Sequence, residues 1–202
     1  MLKHGKNTTD FIKLIFDIYS RQINLKTWGK IEEDRQSDKT INNKIGEFHQ
    51  EILGCVPGWE DLGVGSEYEV DLTNTEHTKF IELKNKHNTM NSSSRKTAIE
   101  KLENILKKHP NAELYLCHII GKDYKIKDET IKNHEKIREI SGSKVYELIT
   151  GNPNALEELT NALPVAINDI IKNEYNLPDY TLSEDDQEKL NNYINFVFRN
   201  DD

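Results

Sequence analysis

Apolar residues recur at helical spacing in two stretches near the start of the chain. The stripe within residues 9–28 predicts a first helix, for which Thr8 or Thr9 would serve as the N-cap. The polar stretch from Gly29 to Lys39 is interpreted as a surface loop. Helical spacing resumes in residues 41–53, which predicts a second helix.

The middle of the chain shows patterns that are typical of strands. Tyr68–Leu72 and Thr78–Lys84 are predicted to form two short strands joined by a turn-rich link. Glu113–Ile120 is almost continuously apolar, which is typical of a central strand buried on both faces. Residues 94–108 between them have helical spacing, and Lys136–Ser141 predicts a short further strand.

Apolar spacing and helix-start residues predict helices in the last third of the chain. A short helix is predicted over Val145–Ile149, and Pro153 suits the first position of the next one. Pro164 interrupts the apolar pattern that follows, so we expect a break or kink there. Ser183 and Asp186 resemble an N-cap box that opens a final helix.

This order of elements predicts an α/β fold, with a mixed central β-sheet flanked by helices and a helical C-terminal part. The length of 202 residues suits a single domain over residues 1–202. We divide it into an N-terminal helix (about 9–28), a core (about 41–141) and the helical part (about 143–199).

Composition narrows the class of protein. No apolar run is long enough for a membrane span, and the N-terminus lacks the apolar core of a secretory signal. Cys55 and Cys117 form no CxxC pair, so we expect a cytoplasmic protein without a disulfide framework. The net charge is −8, yet Leu83–Ile99 contains four Lys or Arg residues and no acid. This local excess of positive charge suits a basic cleft in an otherwise acidic protein.

Two acids and a lysine in the predicted strand pair form a candidate metal site. Glu82 and Lys84 share one face of their strand because alternate residues do, and Asp71 can join them if the two strands pair. Mg²⁺ prefers carboxylate and carbonyl oxygens, so Asp71, Glu82 and the carbonyl of Leu83 are candidate ligands. Lys84 could contact a scissile phosphate. These groups indicate metal-dependent phosphodiester hydrolysis.

The segment after Lys84 is rich in amides and hydroxyls. Such side chains donate and accept hydrogen bonds to base edges and phosphates. The candidate DNA-binding residues are Asn85, Lys86, His87, Asn88, Thr89, Asn91, Ser92, Ser93 and Lys96.

Simpler readings compete with this one. Glu-x-Lys arises readily by chance in so charged a chain, and cross-strand ion pairs use the same residues. Asp123–Lys125 repeats the acid-x-Lys pattern, but it lies in a polar loop with no acid on a neighbouring strand. His118 lies in an apolar strand and is interpreted as a core histidine.

The order Asp71, Glu82-Leu83-Lys84 resembles the signature of PD-(D/E)XK nucleases, with Val70 at the position of the proline. Gly46–Gly54 and Glu82–Ser94 together are similar to the type II restriction endonucleases that cleave GGNCC-type sites. The similarity extends through Lys136–Gly151 and Asn161–Ile171, and so covers about residues 40–172.

The resemblance implies a Mg²⁺-dependent homodimer that cuts both strands of DNA at a short palindrome within a restriction-modification system. Asp71 and Glu82 would be the metal ligands and Lys84 the catalytic lysine. The family often adds an acid or amide from the preceding helix. We expect Glu51 in this role, with Gln50 and Glu47 as alternatives. No nucleotide cofactor and no membrane contact are expected.

Two other functions remain open from the sequence. A structure-selective repair or junction-resolving nuclease of the same superfamily would use the same residues on branched DNA. A non-catalytic DNA-binding module would use Glu82 and Lys84 only as a structural ion pair, and it would bind DNA without cutting it.

Overall fold

A computed structural model describes residues 11–63, 65–175, 178 and 180–199 of the chain. Thr8 and Thr9, the predicted N-caps, lie outside these residues. The chain divides into two compact units, Met1–Phe48 and His49–Asp202.

The first unit contains helix α1 (Phe11–Arg21) and most of α2 (Leu25–Gly54), which continues into the second unit. The prediction of one helix over residues 9–28 is therefore wrong, because the chain turns between the two helices. Gln22 adopts a positive φ of 53°, and the side chain of Asn24 accepts a 2.9 Å hydrogen bond from the backbone N of Thr27. A left-handed residue followed by a side-chain cap ends one helix and starts another.

The predicted surface loop from Gly29 to Lys39 is also wrong, since α2 runs through it without interruption. The helix is stabilised there by side chains one turn apart. Glu32 accepts hydrogen bonds from Arg35 Nε at 2.8 Å and from Gln36 Nε2 at 3.2 Å. These bonds, Arg35 foremost, hold the pKa of Glu32 at about 2 against the opposing effect of burial. A polar stretch without proline forms a solvated helix when such pairs support it.

The second unit is built on one mixed sheet, as the predicted α/β fold requires. Within the described residues it has six strands in the order β1-β2-β3-β4-β6-β5. The first three are joined antiparallel, β3, β4 and β6 run parallel, and β5 pairs antiparallel with β6. Their bounds are β1 (Trp59–Asp61), β2 (Leu72–Asn74), β3 (Lys79–Lys86), β4 (Glu113–Ile120), β5 (Asp128–Ile131) and β6 (His134–Ser141). The short edge strands β1 and β5 were not predicted.

The described part of this unit also contains the helices α3 (Ser92–Ile105), α4 (Ser143–Thr150), α5 (Ala155–Tyr175) and α6 (Glu184–Arg199). Gly151, with a φ of 72°, ends α4, and the Ser183 hydroxyl caps α6 through the N of Asp186. The break predicted at Pro164 does not occur, since α5 continues through the proline. None of the described helices is long and apolar enough to cross a membrane.

Period-2 alternation along β3 and β4 divides the core between the two faces of the sheet. Phe80, Leu114 and Leu116 pack with Leu102 of α3 on one face. Ile81, Leu83 and Cys117 face the other side, where the cluster includes Leu53 of α2, Val145 of α4 and Leu156 of α5. Helices therefore cover both faces of β4, as its continuous apolar sequence predicts.

The first strand of the predicted pair is displaced along the chain. Tyr68–Leu72 was predicted, whereas β2 begins at Leu72 and the residues before it form turns in which Glu69 has a φ of 56°. The strand instead continues into Asn74, whose side-chain oxygen accepts 2.8 Å hydrogen bonds from the N atoms of Thr78 and Lys79. A turn-forming residue can end a strand and organise the following turn at once.

Candidate metal and DNA site

Asp71 lies where the antiparallel part of the sheet meets its parallel part. It directly precedes β2, and its backbone N donates a 3.0 Å hydrogen bond to the carbonyl of Ile81 on β3. Its Oδ2 atom accepts a 2.6 Å bond from the backbone N of Leu83. Main-chain bonds from the neighbouring strand thus fix this carboxylate at the middle of β3.

Glu82 and Lys84 share one face of β3, and Lys84 connects the candidate groups. Its Nζ atom lies 2.8 Å from Glu82 Oε1, 2.9 Å from the carbonyl oxygen of Leu83 and 3.4 Å from Asp71 Oδ2. The structure therefore brings together all four groups that the sequence predicted for the metal and lysine site. The oxygens of Asp71, Glu82 and Leu83 surround one position, which the ammonium group of Lys84 occupies.

The electrostatics of this cluster reflect two carboxylates close together in a poorly solvated place. Burial, and then the charge of Asp71, raise the pKa of Glu82 above its ordinary value, although Lys84 opposes both. Burial lowers the pKa of Lys84, but the charges of Asp71 and Glu82 outweigh it, so the net shift is upward. An additional positive charge at this position would therefore stabilise the ionised form of Glu82.

One oxygen of the cluster lacks a partner. Glu82 Oε2 is buried and has no hydrogen bond within the described residues. A buried carboxylate oxygen is costly unless it is bonded to a donor or a cation. A hard divalent ion takes carboxylate and carbonyl oxygens together with water, so the residues present fit Mg²⁺. The described residues contain no group of three or more His, Cys, Asp or Glu that could hold a metal, so this site would depend on the Leu83 carbonyl and on water or substrate oxygens.

The helix preceding the sheet brings Gln50 to the strands beside Asp71. Gln50 Nε2 donates a 2.7 Å hydrogen bond to Oδ1 of Asp61 on β1, and the next residue, Leu62, donates from its backbone N to the Asp71 carbonyl at 3.0 Å. Glu51, the expected residue, is exposed on α2. Glu47 is also exposed, and its carboxylate pairs with Lys44 at 2.5 Å.

We refer to residues 85–96 as the reading segment. It leaves the end of β3, forms a turn, and enters the first turns of α3. Asn91 caps that helix by accepting a 2.8 Å bond from the N of Ser94. Most of the predicted DNA-binding side chains are exposed there, namely His87, Asn88, Thr89, Asn91, Ser92, Ser93 and Lys96. Lys86 is half-buried on β3.

Asn85 differs from the other predicted DNA-binding residues. It is half-buried, and its Oδ1 atom is buried without a hydrogen-bond partner in the described residues. A cavity of about 590 Å³ lies beside His87 and Asn88, and Tyr124 and Phe198 also line it. Polar groups of the reading segment thus border both open solvent and this cavity.

The competing acid-x-Lys pattern lies elsewhere in the fold. Asp123 is an exposed residue of a short 3-10 turn after β4, and its φ is 54°. Neither Asp123 nor Lys125 lies on a strand. The pair therefore offers a matched internal control for the pair on β3.

The sequence did not identify a second polar cluster on the face of the sheet that carries Glu82. His118 is buried on β4, and its Nε2 atom lies 3.1 Å from Oε1 of the buried Glu139 on β6. Arg95 and Lys127 also bond to Glu139. An acid on the same face of β6 as the buried Ile137 was the signal that could have revealed it.

Comparison with known proteins identifies similar sequences. A model of the Eco47II restriction endonuclease family matches residues 2–172. The type II restriction enzyme Sau96I of Staphylococcus aureus is 30% identical over 184 residues, which are 84% of this chain and 70% of that protein. The type II restriction enzyme Eco47II of Escherichia coli is 33% identical over 174 residues, which are 79% of this chain and 72% of that protein.

Proposed function

The chain belongs to the Eco47II restriction endonuclease family, and from this premise we propose that it is a cytoplasmic homodimer that cuts GGNCC-type palindromes with Mg²⁺. Family membership makes it a type II site-specific deoxyribonuclease. The metal, its ligands and the recognition sequence are our proposal.

The observation that carries the proposal is the convergence of three oxygens on one cation position. Asp71 Oδ2, Glu82 Oε1 and the Leu83 carbonyl all lie within 3.4 Å of the Lys84 ammonium, and Glu82 Oε2 has no partner among the described residues. These oxygens would hold Mg²⁺. When bound, the ion would neutralise phosphate charge and lower the pKa of a bound water.

The side chains themselves have distinct roles in this proposal. Asp71 and Glu82 keep the site negative enough to attract a divalent ion, and the backbone N of Leu83 fixes the orientation of Asp71. Lys84 keeps its proton because the neighbouring carboxylates raise its pKa. Its ammonium can therefore stabilise the extra negative charge that develops on the phosphate during attack.

The reading segment would contact the target beside this site. It begins one residue after Lys84, so a base contact and the reacting phosphate are positioned by the same strand. A palindrome presents the same bases to two copies of the chain related by a two-fold axis, and each copy would then cut one strand. Gln50 is a better candidate than Glu51 for the helix residue of the site, because its amide bonds to Asp61 beside Asp71.

The test is digestion of a sequenced plasmid in Mg²⁺, followed by mapping of the new DNA ends. The unmodified protein should give discrete ends at GGNCC sites. Asp71→Asn, Glu82→Gln and Lys84→Ala should each lower the cleavage rate by roughly 10³-fold, since loss of metal or lysine stabilisation costs several kcal/mol in the transition state.

The matched controls are Asp123→Asn and Lys125→Ala, which change the same residue types outside the sheet. Both control proteins should cut at the unmodified rate. Cleavage by Asp71→Asn that equals cleavage by Asp123→Asn would refute the assigned site. Discrete ends at another sequence would refute the GGNCC assignment alone, and a light-scattering mass of one chain on bound DNA would refute the homodimer.

A further inference from the structure

Glu139 is the centre of a buried polar network. It is 6% exposed, and both of its oxygens accept hydrogen bonds. Arg95 bonds to both oxygens in a two-pronged arrangement, with Nη2 3.0 Å from Oε2. Lys127 Nζ lies 2.6 Å from Oε2, and His118 Nε2 lies 3.1 Å from Oε1. One carboxylate thus connects α3, the loop before β5 and strand β4.

This network connects the two parts of the proposed site. Arg95 belongs to the reading segment, where it lies one turn after the capping residue Asn91. His118 is the register partner of Lys84 on the adjacent parallel strand, and Leu116 next to Glu82 pairs in turn with Glu139. The chain of contacts therefore runs from the DNA-reading helix through one carboxylate to the residue beside the catalytic lysine.

The carboxylate is ionised in this setting. Burial alone would raise the pKa of Glu139, but the bonds from His118, Arg95 and Lys127 hold it far below its ordinary value. An ionised carboxylate can only accept hydrogen bonds, so Nε2 of His118 must carry the proton. The other ring nitrogen, Nδ1, is buried and has no partner within the described residues. Within the described residues, the bond to Glu139 is therefore the side-chain hydrogen bond that orients the ring of His118.

Arg95 and Lys127 are the exposed members of the network, and Arg95 is the one that belongs to the reading segment. Their side chains are 36% and 41% exposed, whereas those of Glu139 and His118 are 8% and 4% exposed. A contact with DNA that shifts the start of α3 would move a guanidinium that is fixed to the carboxylate in a planar fork. Packed interiors transmit such shifts because they cannot absorb them.

We propose that Glu139 is a positioning residue that couples the reading segment, through Arg95, to the strand beside Lys84, so that correct DNA contacts favour the cleavage geometry. This inference rests on the proposed function. It adds a residue that contacts neither DNA nor metal but contributes to the choice between correct and incorrect sites.

The test compares Glu139→Gln, Arg95→Gln and the double variant with the unmodified protein. For each, the single-turnover cleavage rate at saturating DNA is measured on the mapped target and on a target with one changed base pair. Each single variant should lower the rate on the mapped target, and with it the ratio, by roughly 10- to 100-fold, because correct contacts no longer favour the cleavage geometry and small misplacements cost that much in an oriented reaction. The rate on the changed target, which lacks the correct contacts, should change little. The double variant should lower the ratio no further, because both changes break the same connection.

Arg138→Gln and Asp128→Asn are the matched controls. Arg138 is adjacent to Glu139 but pairs with Asp128 at 2.5 Å on the opposite side of the strand, so these variants lose an ion pair without touching the network. They should leave the ratio unchanged. Arg95→Lys keeps the charge and should recover part of the loss.

A purely structural role would lower both rates equally through loss of folded protein, and that result would overturn the inference. Additive losses in the double variant would also overturn it. If Glu139→Gln does not fold, Glu139→Asp replaces it in the same double-variant comparison, because a lower ratio for Arg95→Gln alone would also follow from a lost DNA contact. Failure of the unmodified protein to cut any DNA in Mg²⁺ would instead refute the proposed function, which is a separate outcome.

Discussion

Lys84 holds the position at which the carboxylates would bind a divalent ion, so replacing it should strengthen metal binding while it abolishes cleavage. The change is Lys84→Met, which keeps the length of the side chain and removes its charge. Two unit charges about 4 Å apart interact by about 1 kcal/mol in water and about 4 kcal/mol at an effective dielectric constant of 20. Because the Lys84 side chain is 27% exposed, we expect the lower part of this range, about 1–2 kcal/mol.

That energy corresponds to a Kd for Ca²⁺ or Mn²⁺ that is roughly 5- to 30-fold lower in the variant, in the absence of DNA. Titration calorimetry measures it, and both proteins are titrated at the same pH because the raised pKa of Glu82 makes metal binding depend on pH. Lys79→Met is the matched control, because Lys79 lies at the other end of β3, and its Kd should not change. Weaker metal binding by Lys84→Met would refute the competition between lysine and metal.

Three further predictions concern stability, each measured by urea denaturation. Leu102→Ala should lower the free energy of unfolding by roughly 2–5 kcal/mol, since Leu102 is fully buried between α3 and the sheet. Gly46→Ala should raise the free energy of unfolding by about 0.5–1 kcal/mol, because open space surrounds that helical position. Gly54→Ala should instead lower it, because a Cβ there would lie 2.6 Å from Asp61 Cβ. Burial lowers the pKa of His49 to about 4 from 6.5, so the folded protein binds fewer protons between these values. Stability should therefore fall as pH drops from about 6.5 to about 4, and His49→Gln should remove that loss.

The position of the candidate residues on the sheet could be predicted because it depends on strand periodicity. Phe80, Glu82 and Lys84 share a face of β3 whatever the register of the neighbouring strand. The buried strand β4 was found with its observed bounds, since an unbroken apolar run admits little else. These local patterns were sufficient to place Glu82 and Lys84 before any tertiary contact was known.

What the sequence left undetermined depends on partners far along the chain. Asp71 was assigned to a strand, yet it lies just before β2 and is held by the backbone of Leu83, twelve residues away. Gln50 and Glu51 are adjacent on one helix, and the hydrogen bond of Gln50 to Asp61 distinguishes them. The role that we propose for Glu139 depends on its ion pair with Arg95, which lies forty-four residues earlier in the chain. No propensity or periodicity encodes such pairings.

The arrangement at β3 also favours a functional site over a purely structural ion pair. Removing two charges from water costs more free energy than their attraction provides, unless the remaining lone pairs also accept hydrogen bonds. In an ion pair that stabilises the fold, we therefore expect every oxygen of the carboxylate to be hydrogen-bonded. Here Glu82 is 5% exposed and one of its oxygens has no partner among the described residues, while a second carboxylate nearby raises its pKa further. Apolar residues at these positions would stabilise the sheet better. Two mutually repelling acids around a single lysine are therefore better explained by the metal and phosphate binding that we propose than by a contribution to stability.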